Sequence, residues 1–128
     1  MILVTGGTGL VGCHLLYSLV KENKKVRALH RKNSKTNIVR KVFSYYSKDY
    51  KQLFDKIEWI QGDINDITSL DIAFKNITEI YHCAAFISFS HQDLKAMKKI
   101  NVEGTANMVN FAIDKKINKF CYVSTIAA

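Results

Sequence analysis

The stretch from Ile2 to Gly12 limits the possible folds more than any other part of the chain. A short apolar run starts at Ile2 and stops at Thr5, glycines follow at Gly6, Gly9 and Gly12, and apolar residues then recur at helical spacing, at Val11, Leu15, Leu16, Leu19 and Val20. Strand, tight glycine turn and helix in that order bring backbone N–H groups and the positive end of a helix up to a pyrophosphate. Each glycine has a physical task in such a turn. Gly6 lets the chain leave the strand where no side chain fits, Gly9 removes a Cβ that would collide with phosphates, and Gly12 lets the helix lie close against the strand. Glycine-rich turns also join ordinary strands and helices. The strand before and the helix after are what turn the triplet into a dinucleotide-binding signal.

Beyond the first helix the pattern keeps alternating. Lys25–His30 reads as a second strand, and Arg31–Asp55 as a crossover of one or two helices with a boundary near Ser47. Ile57–Ile60 is a third strand, followed by a short helix capped by Asp66 or Thr68 and holding Leu70, Ile72, Ala73 and Phe74. Ile80–Ala85 is a fourth strand running into a small-residue turn. His91–Lys115 is a long helix with a bend expected near Gly104, and Lys119–Ser124 is a fifth strand. Strands that are apolar throughout and alternate with helices predict an α/β fold, a doubly wound parallel sheet covered on both faces. Right-handed crossovers then place ligands beyond the carboxyl ends of the strands. The 128 residues suffice for one domain with a hydrophobic core.

Composition excludes several classes. With 48% hydrophobic residues the chain is not of the disordered type, and no apolar run approaches the roughly 20 residues of a membrane span. The N-terminus has no basic region leading into an apolar stretch and cleavage site, so a cytoplasmic location is expected. Cys13, Cys83 and Cys121 form no C-x-x-C pair and read as small buried hydrophobes in a reducing compartment, with no metal site. The net charge of +8 is concentrated between Lys21 and Lys56. That block fits nucleic acid, a solvated surface, or a site for an extra phosphate on a cofactor. Its interleaved aromatics, Phe43, Tyr45, Tyr46, Tyr50 and Phe54, have the spacing of a helix packing face, and no recognisable nucleic-acid module accompanies the charge. A small-molecule ligand is therefore expected, with no nucleic-acid or membrane partner.

The strand ends carry the candidate site. Sheets that bind NAD usually end their second strand in an acid that meets the ribose hydroxyls. Here His30 stands there, followed by Arg31 and Lys32, which suits the 2′-phosphate of NADP; the plainer alternative is that the two cations start a solvated helix. Asp63 follows the third strand, where its carboxylate can meet an adenine amino group, although an aspartate there is also a common turn former. Ala84 and Ala85 leave room for a cofactor to approach, and His82 is read as orienting a loop by hydrogen bonding.

Five ordered motifs complete the reading: Thr5-Gly6-x-x-Gly9-x-x-Gly12, Gly62-Asp63, His82-x-Ala84-Ala85, Asn101-x-x-Gly104-Thr105-x-Asn107 and Val123-Ser124-Thr125. In order and spacing the chain resembles the extended short-chain dehydrogenase/reductases, the NAD(P)-dependent epimerase/dehydratase group. Its His-Cys-Ala-Ala-Phe and Ser-Thr-Ile-Ala-Ala wording is most similar to the dihydroflavonol-reductase-like and hydroxysteroid-dehydrogenase-like branches. The resemblance implies a Rossmann fold and NADP or, second, NAD as cofactor. Gly6, Gly9 and Gly12 with the backbone of Leu10 and Val11 would hold the pyrophosphate. His30 and Arg31 would meet the adenosine ribose or its phosphate, Asp63 and Ile64 the adenine, and Ala84, Ala85 and Phe86 the nicotinamide-side ribose. Asn101 would help organise the active site, and Thr125, or its neighbour Ser124, would hydrogen-bond the reacting oxygen of the substrate. The group's Tyr-x-x-x-Lys pair falls beyond the fifth strand, and Tyr17-x-x-x-Lys21 lies on the wrong helix. The chain therefore reads as the N-terminal part of a longer oxidoreductase, without its sixth strand and substrate-binding portion and inactive alone, and possible homodimerisation runs through the Asn101–Ala112 helix. A non-catalytic NAD(P)-binding sensor or scaffold is the alternative.

Overall fold

The computed structural model describes residues 1–126; Ala127 and Ala128, which end the Ser-Thr-Ile-Ala-Ala motif, lie outside the described residues. Five parallel strands form one sheet in the order β3-β2-β1-β4-β5: β1 (Ile2–Thr5), β2 (Val26–His30), β3 (Ile57–Gln61), β4 (Glu79–His82) and β5 (Lys119–Tyr122). The chain winds outward from β1 through β2 to β3 and then crosses to the far side of β1, where Ile2 pairs with Glu79 and Thr5 with His82. That reversal, between β1 and β4, is the switch point at which doubly wound sheets open a crevice.

All four residues of β1 are buried, because helices cover both its faces. On one face Ile2 and Val4 pack with Leu16 and Val20 of α1 (Leu10–Lys21) and with Val39 and Phe43 of α2 (Thr36–Tyr46). On the other, Leu3 and Ile80 pack with Leu70 of α4 (Ile67–Ala73) and Met108 of α6 (Thr105–Asp114). The Arg31–Asp55 crossover does hold two helices, α2 and α3 (Tyr50–Asp55), broken at Ser47 as the pattern indicates. Asp66 is the cap of α4, its carboxylate accepting from the Thr68 N–H at 3.1 Å. Among the described residues no helix is long and apolar enough to cross a membrane.

Three expectations are corrected. β4 stops at His82 and β5 at Tyr122, each shorter than the sequence suggests, although Cys83 N–H still donates to Thr5 O at 3.2 Å and Val123 N–H to His82 O at 3.1 Å before the chain turns off the sheet. The expected helix runs unbroken from His91 to Asp114 but is not regular, passing through a 3₁₀ turn (His91–Asp93), α5 (Leu94–Lys98), a π-helical turn (Lys99–Gly104) and α6. At Gly104 the helix passes close to the β3–α4 connection: a Cβ there would stand 2.5 Å from Ile64 Cδ1, so any larger residue would make the Ile64 side chain shift. Cys83 and Cys121 are half-buried, and only Cys13 is fully buried.

Arg27 also leaves the surface charge block to which its sequence position assigns it. It is buried, donates to the carbonyls of Ala73 and Lys75 at 2.8 and 2.7 Å, and pairs with Glu58 Oε1 at 2.8 Å. A guanidinium against the last carbonyls of α4 satisfies groups that a helix end leaves open.

Candidate functional site

The glycine turn is built by two close approaches, at Gly6 and Gly12. Gly6 has φ +68°, the left-handed region, and a Cβ on it would meet Ala84 N at 2.6 Å. A Cβ on Gly12 would lie 2.2 Å from Gly6 O, so Gly12 seats α1 against the turn itself rather than against the strand. Gly9 differs: its nearest heavy atom would be Gly6 O at 3.2 Å, and the remaining space is open. Gly9 also caps α1 without a side-chain hydrogen bond, and no acidic residue occupies the first turn. The N–H groups of Leu10, Val11 and Gly12 therefore begin a helix with no carboxylate or hydroxyl already committed to them. Leu10 and Val11 are 79% and 52% exposed, so what they offer a ligand is backbone.

A cavity of about 250 Å³ opens at the carboxyl ends of the strands. Of the residues singled out in the sequence, Gly6, Gly9, His30, Arg31, Asp63, Ile64, Ala84, Ala85 and Phe86 line it together. A second depression of about 560 Å³ adjoins it and is lined by Arg31, Lys32, Asn33 and Asp66, among others. Arg31 thus stands where the two meet. Ser34, which lines both, turns the chain there: its hydroxyl accepts from Arg31 N–H at 3.0 Å, and its own N–H donates to Arg31 O at 2.9 Å. Across the cavity Asp63 is fixed by its surroundings. Its Oδ1 accepts from Asn65 N–H at 2.9 Å, and its own N–H donates to Ser69 Oγ at 3.0 Å. Asn107 donates to Ile64 O at 3.0 Å, tying α6 to the same loop.

The segment after β4 is clamped rather than free. Asn101, in the π-helical turn, accepts from Phe86 N–H and donates to Phe86 O, both at 2.8 Å. Both polar atoms of its side chain engage that backbone, so in this structure Asn101 positions Phe86. His82 is fully buried, with Nδ1 2.6 Å from Thr5 Oγ1 and Nε2 3.0 Å from Thr105 Oγ1. Thr5 Oγ1 in turn accepts from Ala84 N–H at 3.3 Å. Burial pulls the imidazole down to about pH 4, so it is neutral and offers one donor and one acceptor, matching two hydroxyls. His82 therefore orients the Ala84 turn, as its sequence position indicates.

Ser124 and Thr125 follow β5 at the same end of the sheet, where Val123 N–H donates to His82 O at 3.1 Å, but both are exposed and neither lines the cavity. Tyr17 and Lys21 are apart from it altogether: Lys21 Nζ lies 5.7 Å over the Tyr17 ring, which stacks on Tyr46. Sequence reasoning missed Ser34, Leu29, Cys83 and Ile100 as lining residues. Ser34 sits in an ordinary polar run and Ile100 in a lysine-rich helix, so neither carries a local signal. Cys83 is no nucleophile: burial, with Cys121 nearby, pushes its thiol up to about 11.

The residues present fit a dinucleotide. The cradle at Gly9 is one that a Cβ would fill, the helix end is uncapped, and cations and small residues stand at its two sides. A family model described as male sterility protein, an NAD-binding family, matches residues 4–128. Curated relatives include a putative dihydroflavonol 4-reductase from Synechocystis sp., 32% identical over 98% of this chain and 32% of the relative. A UDP-glucose 4-epimerase from Vibrio cholerae is 30% identical over 98% of this chain and 34% of the relative. A short-chain dehydrogenase/reductase superfamily protein from Agrobacterium tumefaciens, solved with bound NAD, superposes with a TM-score of 0.77 at 26% identity, covering 98% of this chain and 32% of that one. The chain spans about a third of the length of these curated relatives. The resemblance carried by the five motifs is borne out at the level of family and fold.

Proposed function

We propose, for a chain that belongs to the male sterility protein family of NAD-binding domains, that it is the cofactor-binding part of a longer oxidoreductase or epimerase acting at a carbonyl or secondary alcohol, with NADP preferred over NAD. The observation that carries this reading is the uncapped α1 N-terminus opening on the same cavity as the Arg31–Ser34 turn. A bound nicotinamide dinucleotide supplies hydride exchange at C4 of its ring. The protein's part is binding and orientation. Gly6 and Gly9 and the first-turn N–H groups of Leu10, Val11 and Gly12 hold the pyrophosphate; Asp63 and Ile64 hold the adenine. Arg31, with Lys32 in the adjoining depression, meets the 2′-phosphate. Ala84, Ala85 and Phe86 form the shelf for the nicotinamide-side ribose, kept in place by Asn101 and His82. Thr125, or Ser124, hydrogen-bonds the reacting oxygen of the substrate.

The chain's Tyr-x-x-x-Lys, Tyr17 to Lys21, lies away from the cavity, so these 128 residues bind cofactor without turnover. The second reading, a non-catalytic NAD(P)-binding sensor or scaffold, draws on that same placement. A cytoplasmic location and a homodimer complete the proposal. Among the described residues all the cysteines are free, and exposed Val102, Val109 and Ile113 recur on one stripe of the π-helical turn and α6.

Calorimetric titration of NADP⁺ and NAD⁺ into the wild-type chain and Arg31→Ala tests the assignment. The expected result is about tenfold tighter binding of NADP⁺, lost in the variant, as for one charge-assisted contact. Equal affinities in the wild type sink the preference, and no binding of either sinks the site.

A further inference from the structure

His30 closes β2 at the point where sheets of this topology commonly present an acid to the ribose hydroxyls, and it is one of the residues lining the cavity. The imidazole is held on two sides. Nδ1 lies 3.1 Å from the Arg31 carbonyl, which can only accept, so Nδ1 carries a proton. The ring meets Trp59 edge-on, with centroids 5.9 Å apart and planes at 77°. With Nδ1–H committed, Nε2 is the position that changes character: an acceptor in the neutral ring, a donor in the imidazolium.

We propose that His30 makes the choice of cofactor depend on pH: the neutral ring accepts from the 2′-hydroxyl of NAD, whereas the imidazolium donates to the 2′-phosphate of NADP. The inference rests on the reading of this cavity as a dinucleotide site. Arg31 and Lys32, from the same loop, supply a standing positive charge beside the ring. Asp63, from the β3–α4 connection, and Cys83, after β4, line the same cavity, and Asp66 lines the adjoining depression; Gln61, the register partner of His30 on β3, is uncharged. These groups set the baseline affinity for either cofactor. Protonation of the ring adds a charge that only the 2′-phosphate can use.

The test is the ratio of NAD⁺ to NADP⁺ dissociation constants, measured by calorimetry between pH 8 and pH 5.5 on the wild-type chain and on His30→Gln. The 2′-phosphate loses part of its own charge near pH 6. That loss weakens NADP⁺ in both proteins, so the comparison between them removes it. Relative to the variant, the wild-type ratio is expected to rise about tenfold toward NADP⁺ on acidification, the size of one charge-assisted hydrogen bond. In parallel, NMR should show the midpoint of the His30 ring titration moving up with NADP⁺ bound but not with NAD⁺, a readout that needs no variant. Parallel pH profiles for the two proteins, or a His30 midpoint that both cofactors move alike, overturn the inference while leaving the site intact. Failure to bind either dinucleotide at any pH overturns the site and the inference with it.

Discussion

Gly9→Ala and Gly12→Ala separate what the glycine turn does for the fold from what it does for a ligand. At Gly12 the added Cβ lies 2.2 Å from Gly6 O and 2.8 Å from Gly7 Cα, all backbone, so α1 must back away from the turn. Overpacking of that kind costs about 2–3 kcal/mol, against about 1 kcal/mol gained from alanine's helix propensity. The remaining 1–2 kcal/mol corresponds to a fall in melting temperature of about 4–8 °C in a chain of this size. At Gly9 the backbone is extended, φ −82° and ψ 173°, a conformation any residue adopts, and the new methyl meets only Gly6 O at 3.2 Å. Gly9→Ala should therefore melt within about 2 °C of the wild type, because alanine's smaller unfolded-state entropy offsets the tight contact. The same methyl projects into open space at the uncapped helix end, where the pyrophosphate backbone would lie, and should weaken dinucleotide binding at least about tenfold. Thermal melts by circular dichroism and calorimetry with NADP⁺ read the two effects. A Gly9→Ala protein that keeps wild-type affinity would refute the reasoning, since nothing but a ligand requires that position to be bare.

Two more outcomes follow from buried polar groups. His82 titrates near pH 4 in the folded chain, below the ordinary histidine range, so between about pH 6.5 and 4 the unfolded chain binds the extra proton and stability falls as pH falls, by about 2–4 kcal/mol across that window. Urea denaturation at pH 7 and pH 4 should show this, with a shallower dependence in His82→Gln; equal slopes would discard the account. Arg27→Met should cost about 2–3 kcal/mol by orphaning the carbonyls of Ala73 and Lys75, whereas Glu58→Gln should cost under about 1 kcal/mol because Glu58 is half exposed; a stable Arg27→Met protein would mean that α4 does not depend on the guanidinium.

The sheet was legible because its evidence is local. Ile2–Thr5, Val26–His30 and Ile57–Gln61 are apolar runs bounded by turn residues, and helical periodicity lies between them. The strand ends were less legible: Cys83–Ala85 is as apolar as the strand before it, and only the neighbours show that its backbone turns away, with Ala84 N–H donating to Thr5 Oγ1 and Gly6 packed on Cys83. The close approach of Gly104, in the π-helical turn, to Ile64 was equally invisible, since the two are forty positions apart in sequence. Arg27 shows the limit from the other side. Among so many surface cations nothing in its own neighbourhood marks it, and what buries it is the end of a helix that comes later in the chain.

Cradle and shelf are one packing unit, and this is how, under the proposed function, residues almost eighty positions apart would meet the same ligand. The positive φ of Gly6 turns its carbonyl toward Gly12 and its Cα toward Ala84 N and Cys83. The Ala84 amide is then held by Thr5, the residue before Gly6, and Thr5 is held by His82, two residues before Ala84. Each of the two motifs thus supplies the other's missing partner. A side chain at Gly6 would displace both the helix end and the Ala84 turn at once, so the two ends of the cavity cannot move independently. A dinucleotide spanning them, as proposed, would be met by a surface already set to a fixed length, with the ordering that opposes binding done in folding.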